Sequence, residues 1–145
     1  MLDASLALAW CFRDEATPYA NSVLSSLRDT RAIVPALWVY EVENALVTGV
    51  RKKRTSEKGA RTFRELLAVL PIDIQPPPAF QSESAEALHA TAVEQNLSAY
   101  DAAYLALAIE FGIPLATLDG TGRRQGLKQA AQRLKVDLYT PSPTR

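Results

Sequence analysis

From Ala102 to Ile109 the chain carries no charged side chain, and wound as a helix this stretch turns an apolar group in every direction. A helix apolar all round is a buried helix, so the rest of the chain has to build layers around it. Yet a carboxylate, Asp101, stands at its beginning. Ser98 with Asp101 three residues on has the form of a capping box, Ser98 at the N-cap and Asp101 near N3. Gly112 and Pro114 then close the helix as a C′ glycine and a trailing proline do. On this local pattern alone, capping explains Asp101 as well as chemistry does.

The chain of 145 residues is read as one domain over residues 1–145, long enough to bury ~70% of its unfolded surface. Its 16 basic and 16 acidic residues balance, so overall charge selects no partner and only local clusters can. Cys11 is the only cysteine and lies in the apolar run Leu8-Ala9-Trp10-Cys11-Phe12, which makes it a buried reduced thiol rather than a nucleophile. His89, the only histidine, rules out two-histidine acid–base mechanisms and multi-histidine zinc sites, and reads as a partly buried packing residue. No run approaches the ~18 apolar residues of a membrane span, and no basic signal segment opens the chain. The expectation is a cytoplasmic protein with no membrane partner.

Short apolar strands alternate with helices along the chain. Met1-Leu2-Asp3 reads as the end of a strand, and Ser5 to Phe12 as a helix broken at Arg13-Asp14-Glu15. Thr17-Pro18 reads as an N-cap with proline at N1, followed by the stripe Ala20, Val23, Leu24 and Leu27. Ala32-Ile33-Val34 is a strand, and Pro35 opens a helix over about Ala36 to Lys52. On that helix Glu41, Asn44 and Thr48 fall in one sector of about 60°, a narrow polar stripe that suggests a pocket, while Glu43 points to solvent. The next helix buries Ala60, Phe63, Leu66, Leu67 and Leu70. Ile72-Asp73-Ile74 is a strand, Pro76-Pro77-Pro78 a stiff connection, and Ser82 to Asn96 a helix. Leu115 to Asp119 and Val136 to Tyr139 are strands on either side of a turn at Gly120-Thr121-Gly122 and a basic helix from Arg123 to Leu134. The alternation implies an α/β sandwich around a short-stranded, mostly parallel sheet flanked by helices.

In such folds ligands bind beyond the carboxyl ends of the strands. Asp3 and Asp119 each end a strand, and Glu41 and Asp101 lie near the starts of helices that the sheet could set beside them. Four acids could share one mouth. Two carboxylates ~4 Å apart repel by about 4 kcal/mol at an effective dielectric of ~20, which calls for shared protons or a cation. Three or four acids without histidine suit a hard cation such as Mg²⁺ or Mn²⁺. A metal held there, with basic residues in the same chain, suits phosphodiester hydrolysis and needs no protein nucleophile. Arg51, Lys52, Lys53 and Arg54, with Arg123 and Arg124, are the candidates for RNA phosphate contact; the plain alternative is a solvated charged face.

Four segments in this order carry a resemblance: Leu2-Asp3-Ala4-Ser5, Glu41 with Asn44-Ala45-Leu46, Ser98-Ala99-Tyr100-Asp101-Ala102-Ala103-Tyr104, and Thr117-Leu118-Asp119. They resemble PIN-domain ribonucleases, and among those the VapC-type toxins of toxin–antitoxin pairs. The resemblance implies a three-layer PIN-like sandwich. It implies that Asp3, Glu41, Asp101 and Asp119 bind Mg²⁺ or Mn²⁺, with Ser5, Asn44 and Thr117 supporting them from behind. It further implies cleavage of structured RNA, homodimers, and a small VapB-like antitoxin as partner. Two features depart from the family pattern: few residues precede Asp3, and Gly120-Thr121-Gly122-Arg123 offers no further acid or amide after Asp119. A catalytically weak or inactive PIN-like module that binds RNA or protein is the alternative. A receiver-type phosphatase would need a lysine after a core strand, and the chain offers none in the right part.

Overall fold

The computed structural model describes residues 1–118 and 125–141. Its regular strands are Ala32–Pro35 (β1) and Ile72–Gln75 (β2), paired in parallel with Ala32 opposite Ile72 and Pro35 opposite Gln75. On the free side of β1, the Leu2 amide donates to Ile33 O at 3.1 Å. Leu2 bridges in parallel to Ala116, and Leu115 in parallel to Leu138. The order across the sheet is therefore β2, β1, residues 1–3, residues 115–117 and residues 137–139. Three of the five expected strands thus appear as single bridges. Asp3 starts a helix and Thr117 leaves the ladder, which leaves these segments too short for more than one pair of rungs.

The helices among the described residues are Ala4–Leu8 (α1), Pro18–Ser26 (α2), Leu37–Arg51 (α3), Glu57–Val69 (α4), Glu83–Gln95 (α5), Ala99–Phe111 (α6) and Gln125–Arg133 (α7). Four of these starts have a side-chain cap. Thr17, Ser56, Ser82 and Ser98 accept hydrogen bonds from the amides three residues on, at the N-caps of α2, α4, α5 and α6. Asn96 and Gly112 end α5 and α6 in the left-handed conformation. The first helix is shorter than the apolar run Ser5 to Phe12 suggests: it stops at Leu8, and a 3₁₀ turn at Arg13–Glu15 follows. Pro35 belongs to β1 rather than to the following helix.

The core joins Leu2, Leu6, Val34, Leu46, Tyr104, Leu105 and Leu115, all nearly or fully buried. Leu127, Ala130 and Ala131 add the inner face of α7, as their spacing predicts. Gly49 lets α3 approach the segment that follows α1: a Cβ there would meet the Phe12 ring at 2.7 Å. The same ring carries the Arg54 guanidinium, 4.2 Å from the centroid.

Three burial expectations are corrected. Leu66 is exposed, because only Ala60 and Phe63 of α4 reach the core, with Leu67 and Leu70 packed at its margin. His89 is exposed on α5, a helix with no buried residue at all. Cys11 is half-buried, though burial still raises its thiol pKa, opposed by nearby Arg54. The central helix α6 buries Ala102, Tyr104, Leu105 and Ala108, but Ile109 and Phe111 come out to solvent at its end. Among the described residues no helix is long and apolar enough to cross a membrane.

Candidate active site

Parallel connectivity brings Asp3 and Glu41 to one end of the sheet, and the lining of one cleft brings Asp101 to Glu41. A helix that follows a parallel strand starts beyond that strand's carboxyl end and runs back alongside it, so helix starts and strand ends share one side. Asp3 comes from the strand segment at residues 1–3, its amide donating to Ala116 O at 2.9 Å. Glu41 lies one turn into α3, the helix that follows β1. Asp101 lies in the first turn of α6.

Asp3 is the one buried charged residue of the described core, 3% exposed. Its Oδ2 accepts from Ser5 Oγ at 2.5 Å and from Thr117 Oγ1 at 2.7 Å. Ser5 stands on the first turn of α1, and Thr117 follows the residue that bridges Leu2, so two neighbouring segments grip one carboxylate oxygen. Oδ1 receives neither hydroxyl. Among the described residues Asp3 has no Lys or Arg within ion-pair reach, so nothing cationic offsets the burial of a carboxyl group.

Tyr104 reaches Glu41 from the core, and the Asp3 charge bears on its phenol. The phenol is 1% exposed, and its hydroxyl donates to Glu41 Oε2. Burial pushes its pKa far above the usual phenol range, and the Glu41 hydrogen bond, the Glu41 charge and the Asp3 charge push it further. A hydrogen bond with the Ala4 backbone works weakly the other way. A proton is thus fixed on the phenol between two carboxyl groups, aimed at one of them.

Glu41 and Asp101 face each other across an open cleft of about 520 Å³. Helix α3 lines it with Leu37, Tyr40, Glu41 and Asn44, an i, i+3, i+4, i+7 stripe, and α6 with Ser98, Tyr100 and Asp101. Thr48 continues the stripe beyond the cleft. Asp101 Oδ2 accepts from Ser98 Oγ at 2.9 Å, and the Asp101 amide donates back to Ser98 Oγ at 3.1 Å. The Ser98 N-cap is therefore real, though Asp101 takes the Ser98 hydroxyl and not the backbone amide that would complete a capping box, and Asp101 stands on the wall of the cleft. Capping and site are one arrangement here.

Asp119, Arg123 and Arg124 lie outside the described residues. Among the described residues no three His, Cys, Asp or Glu side chains form a group that could hold a metal ion. Of the described acids, Glu41 and Asp101 line one cleft; Asp3 does not line it, and its charge bears on the Tyr104 phenol that bonds Glu41. Their donors are all oxygen, with an amide from Asn44 beside them, and that set fits a hard divalent cation rather than zinc or copper.

The basic cluster sits elsewhere. Arg51 ends α3, ten residues beyond Glu41, or about 15 Å along the helix. Arg51, Lys52 and Lys53 are exposed. Arg54 is engaged in structure: besides its place over Phe12, it pairs with Asp14 at 2.8 Å and Glu15 at 2.6 Å. Glu43 points away from the cleft, as expected, and pairs with Arg64 at 2.7 Å.

Sequence reading missed Tyr104 as a site residue. Its signal was present: a hydroxyl in an otherwise apolar buried stretch needs a polar partner, and Tyr104 is one turn from Asp101. Comparison with curated proteins gave no match. The model of the PIN domain matches residues 1–126, which contain every acid discussed above. On that match the chain belongs to the PIN domain family, whose members are generally nucleases.

Proposed function

We propose that the protein is a metal-dependent endoribonuclease acting as the toxin of a toxin–antitoxin pair. The observation that carries the proposal is the buried Asp3 carboxylate, oriented by Ser5 and Thr117, without a cationic partner among the described residues, its charge bearing on the Tyr104 phenol that bonds Glu41 on the cleft. Asp3, Glu41 and Asp101 would hold Mg²⁺ or Mn²⁺, with Asp119 as the fourth acid. When bound, the cation supplies an acidified water and offsets charge on the phosphate oxygens.

The protein's own groups do the rest. Ser5 and Thr117 keep Asp3 in one orientation. Tyr104 holds one oxygen of Glu41. Glu41 or Asp101 orients the attacking water and accepts its proton, while Asn44 provides an amide beside the phosphate. Arg51, Lys52 and Lys53, with Arg123 and Arg124, would meet RNA backbone away from the reacting phosphate. A VapB-like antitoxin, a homodimeric state and a cytoplasmic setting belong to the same reading.

A mixture of single-stranded RNA oligonucleotides tests it: cutting should require Mn²⁺ or Mg²⁺, stop with chelator, and disappear in Asp3→Asn. The second reading is a PIN-like module that binds RNA or protein without cutting. The sequence Gly120-Thr121-Gly122-Arg123, which offers no further acid or amide after Asp119, motivates that reading. RNA binding without divalent-dependent cutting over many sequences would select it.

A further inference from the structure

Beside the acidic cleft lies a second hollow, of about 520 Å³, that none of the chemistry above uses. Leu37 and Tyr100 line both. The hollow opens beyond the ends of β1 and β2, whose last residues, Pro35 and Gln75, stand on its wall. Proteins take up small molecules in cavities of about 300–1,000 Å³, so the size suits one.

Three elements wall it. Pro76, Pro77 and Pro78 form the first: each ring fixes φ and holds the residue before it extended, so this wall is stiff and offers no amide. Helices α5 and α6 form the others. They are joined by residues 96–98 and pack as an antiparallel pair, which sets the start of α5 beside the end of α6. Along α6 the lining runs from Ala99 to Glu110, about 16 Å of helix, so the hollow is elongated. Ala103 and Ala106 leave it open where longer side chains would fill it.

Its charge gathers at one end. Glu110 in the last turn of α6 and Ser84 in the first turn of α5 both line the hollow, and the antiparallel packing brings them to the same end. Neither side chain makes a hydrogen bond or an ion pair with a described residue. Glu83 and Glu86 stand in the same first turn of α5, and the carboxyl end of α6 adds its own partial negative charge. Leu37 and Tyr100 stand toward the other end.

We infer that this hollow binds a small amphipathic amine, its ammonium donating to Glu110 and Ser84 and its hydrocarbon body lying over Ala103 and Ala106 toward Tyr100. An ammonium carries donors and no acceptor, which suits a carboxylate beside a hydroxyl oxygen. An anionic ligand would meet like charge from Glu83, Glu86 and Glu110. The inference does not rest on the nuclease reading, because neither Glu41 nor Asp101 lines this hollow.

The test titrates the full chain with octylamine, octanol and octanoate at neutral pH by calorimetry, with neither metal nor RNA present. Octylamine should bind with a Kd of about 0.1–1 mM, and octanoate at least about tenfold more weakly. Glu110→Gln should weaken octylamine roughly 3- to 10-fold and leave octanol unchanged. Ala106→Leu fills the hollow with a good helix former and should weaken amine and alcohol alike, by at least about fivefold. Thermal unfolding of both variants should match wild type, because neither position is buried.

No binding of octylamine, or binding that both variants leave unchanged, overturns the inference. Octanoate binding as tight as that of octylamine also overturns it, since the acids would then select nothing. If octylamine does not bind while Ala106→Leu shifts the protein to a smaller species in sedimentation, a second copy covers the hollow and the inference is wrong. Failure to cut RNA would end the nuclease reading and leave these titrations untouched.

Discussion

Tyr104 donates its phenolic proton to Glu41 from a position almost wholly shielded from solvent, joining α6 to α3 at the edge of the acidic cleft. A hydrogen bond to a charged group contributes about 1.5–3 kcal/mol, more than a neutral pair. Tyr104→Phe should lower stability by about that amount in denaturant titration. It should also reduce metal-dependent RNA cutting, because one oxygen of Glu41 loses its anchor. Unchanged stability and activity would mean that the contact holds nothing.

The same residue sets a dependence on alkaline pH. Its folded pKa lies above the ordinary 10.0 of an unfolded phenol, chiefly because of burial and the Glu41 bond. Below pH ~10 the proton is bound in both states and this group adds no slope. Above that, the unfolded chain releases the proton and the folded chain keeps it, so stability falls by up to about 1.4 kcal/mol per pH unit. Unfolding free energies measured between pH 9 and ~11 should show this loss in wild type. Tyr104→Phe should remove that share of the slope.

Ser5 and Thr117 both donate to Asp3 Oδ2, which makes them positioning residues for whatever Asp3 binds. Ser5→Ala and Thr117→Val should each weaken Mn²⁺ affinity by roughly 10- to 100-fold in calorimetric titration. KM for RNA should move less than the metal requirement does. Equal loss of fold stability and metal affinity would instead mark a purely structural pair.

Much of this arrangement was legible in the chain. The N-caps at Thr17 and Ser98, the stripe of Glu41 and Asn44, and the inward face of α7 follow from local chemistry that tertiary packing did not override. Legibility failed where a residue's surroundings come from distant segments. His89 looked like packing because no other His or Cys lies near it in the chain, but α5 buries none of its residues. Arg54 looked like part of a phosphate-binding run, whereas Asp14, Glu15 and Phe12, roughly forty residues earlier, claim it. Tyr104 was hidden for the same reason, since its partner Glu41 is 63 positions away.

The role of Arg54 can be separated from that of its neighbours. Arg54→Ala should cost about 0.5–1 kcal/mol, mostly the lost contact with Phe12, because the ion pairs are exposed and screened. RNA affinity should hardly change. Replacing Arg51, Lys52 and Lys53 together should leave stability within about 0.5 kcal/mol of wild type. If those residues meet phosphates, it should also flatten the dependence of RNA binding on salt. The reverse pattern would place the RNA contact at Arg54.

Asp101 offers the most direct measurement of the central claim, that the acids at this mouth hold a divalent cation for RNA hydrolysis. Asn in its place still accepts the Ser98 hydroxyl through its amide oxygen, so Asp101→Asn should fold with its helix cap intact. RNA cutting is followed against Mn²⁺ concentration for wild type and for this variant, with circular dichroism confirming equal folding. The expected result is cutting by wild type that rises with Mn²⁺ and vanishes with chelator, and none by Asp101→Asn at any concentration. Cutting by the variant at the wild-type rate, or cutting by wild type that persists in chelator, would contradict it.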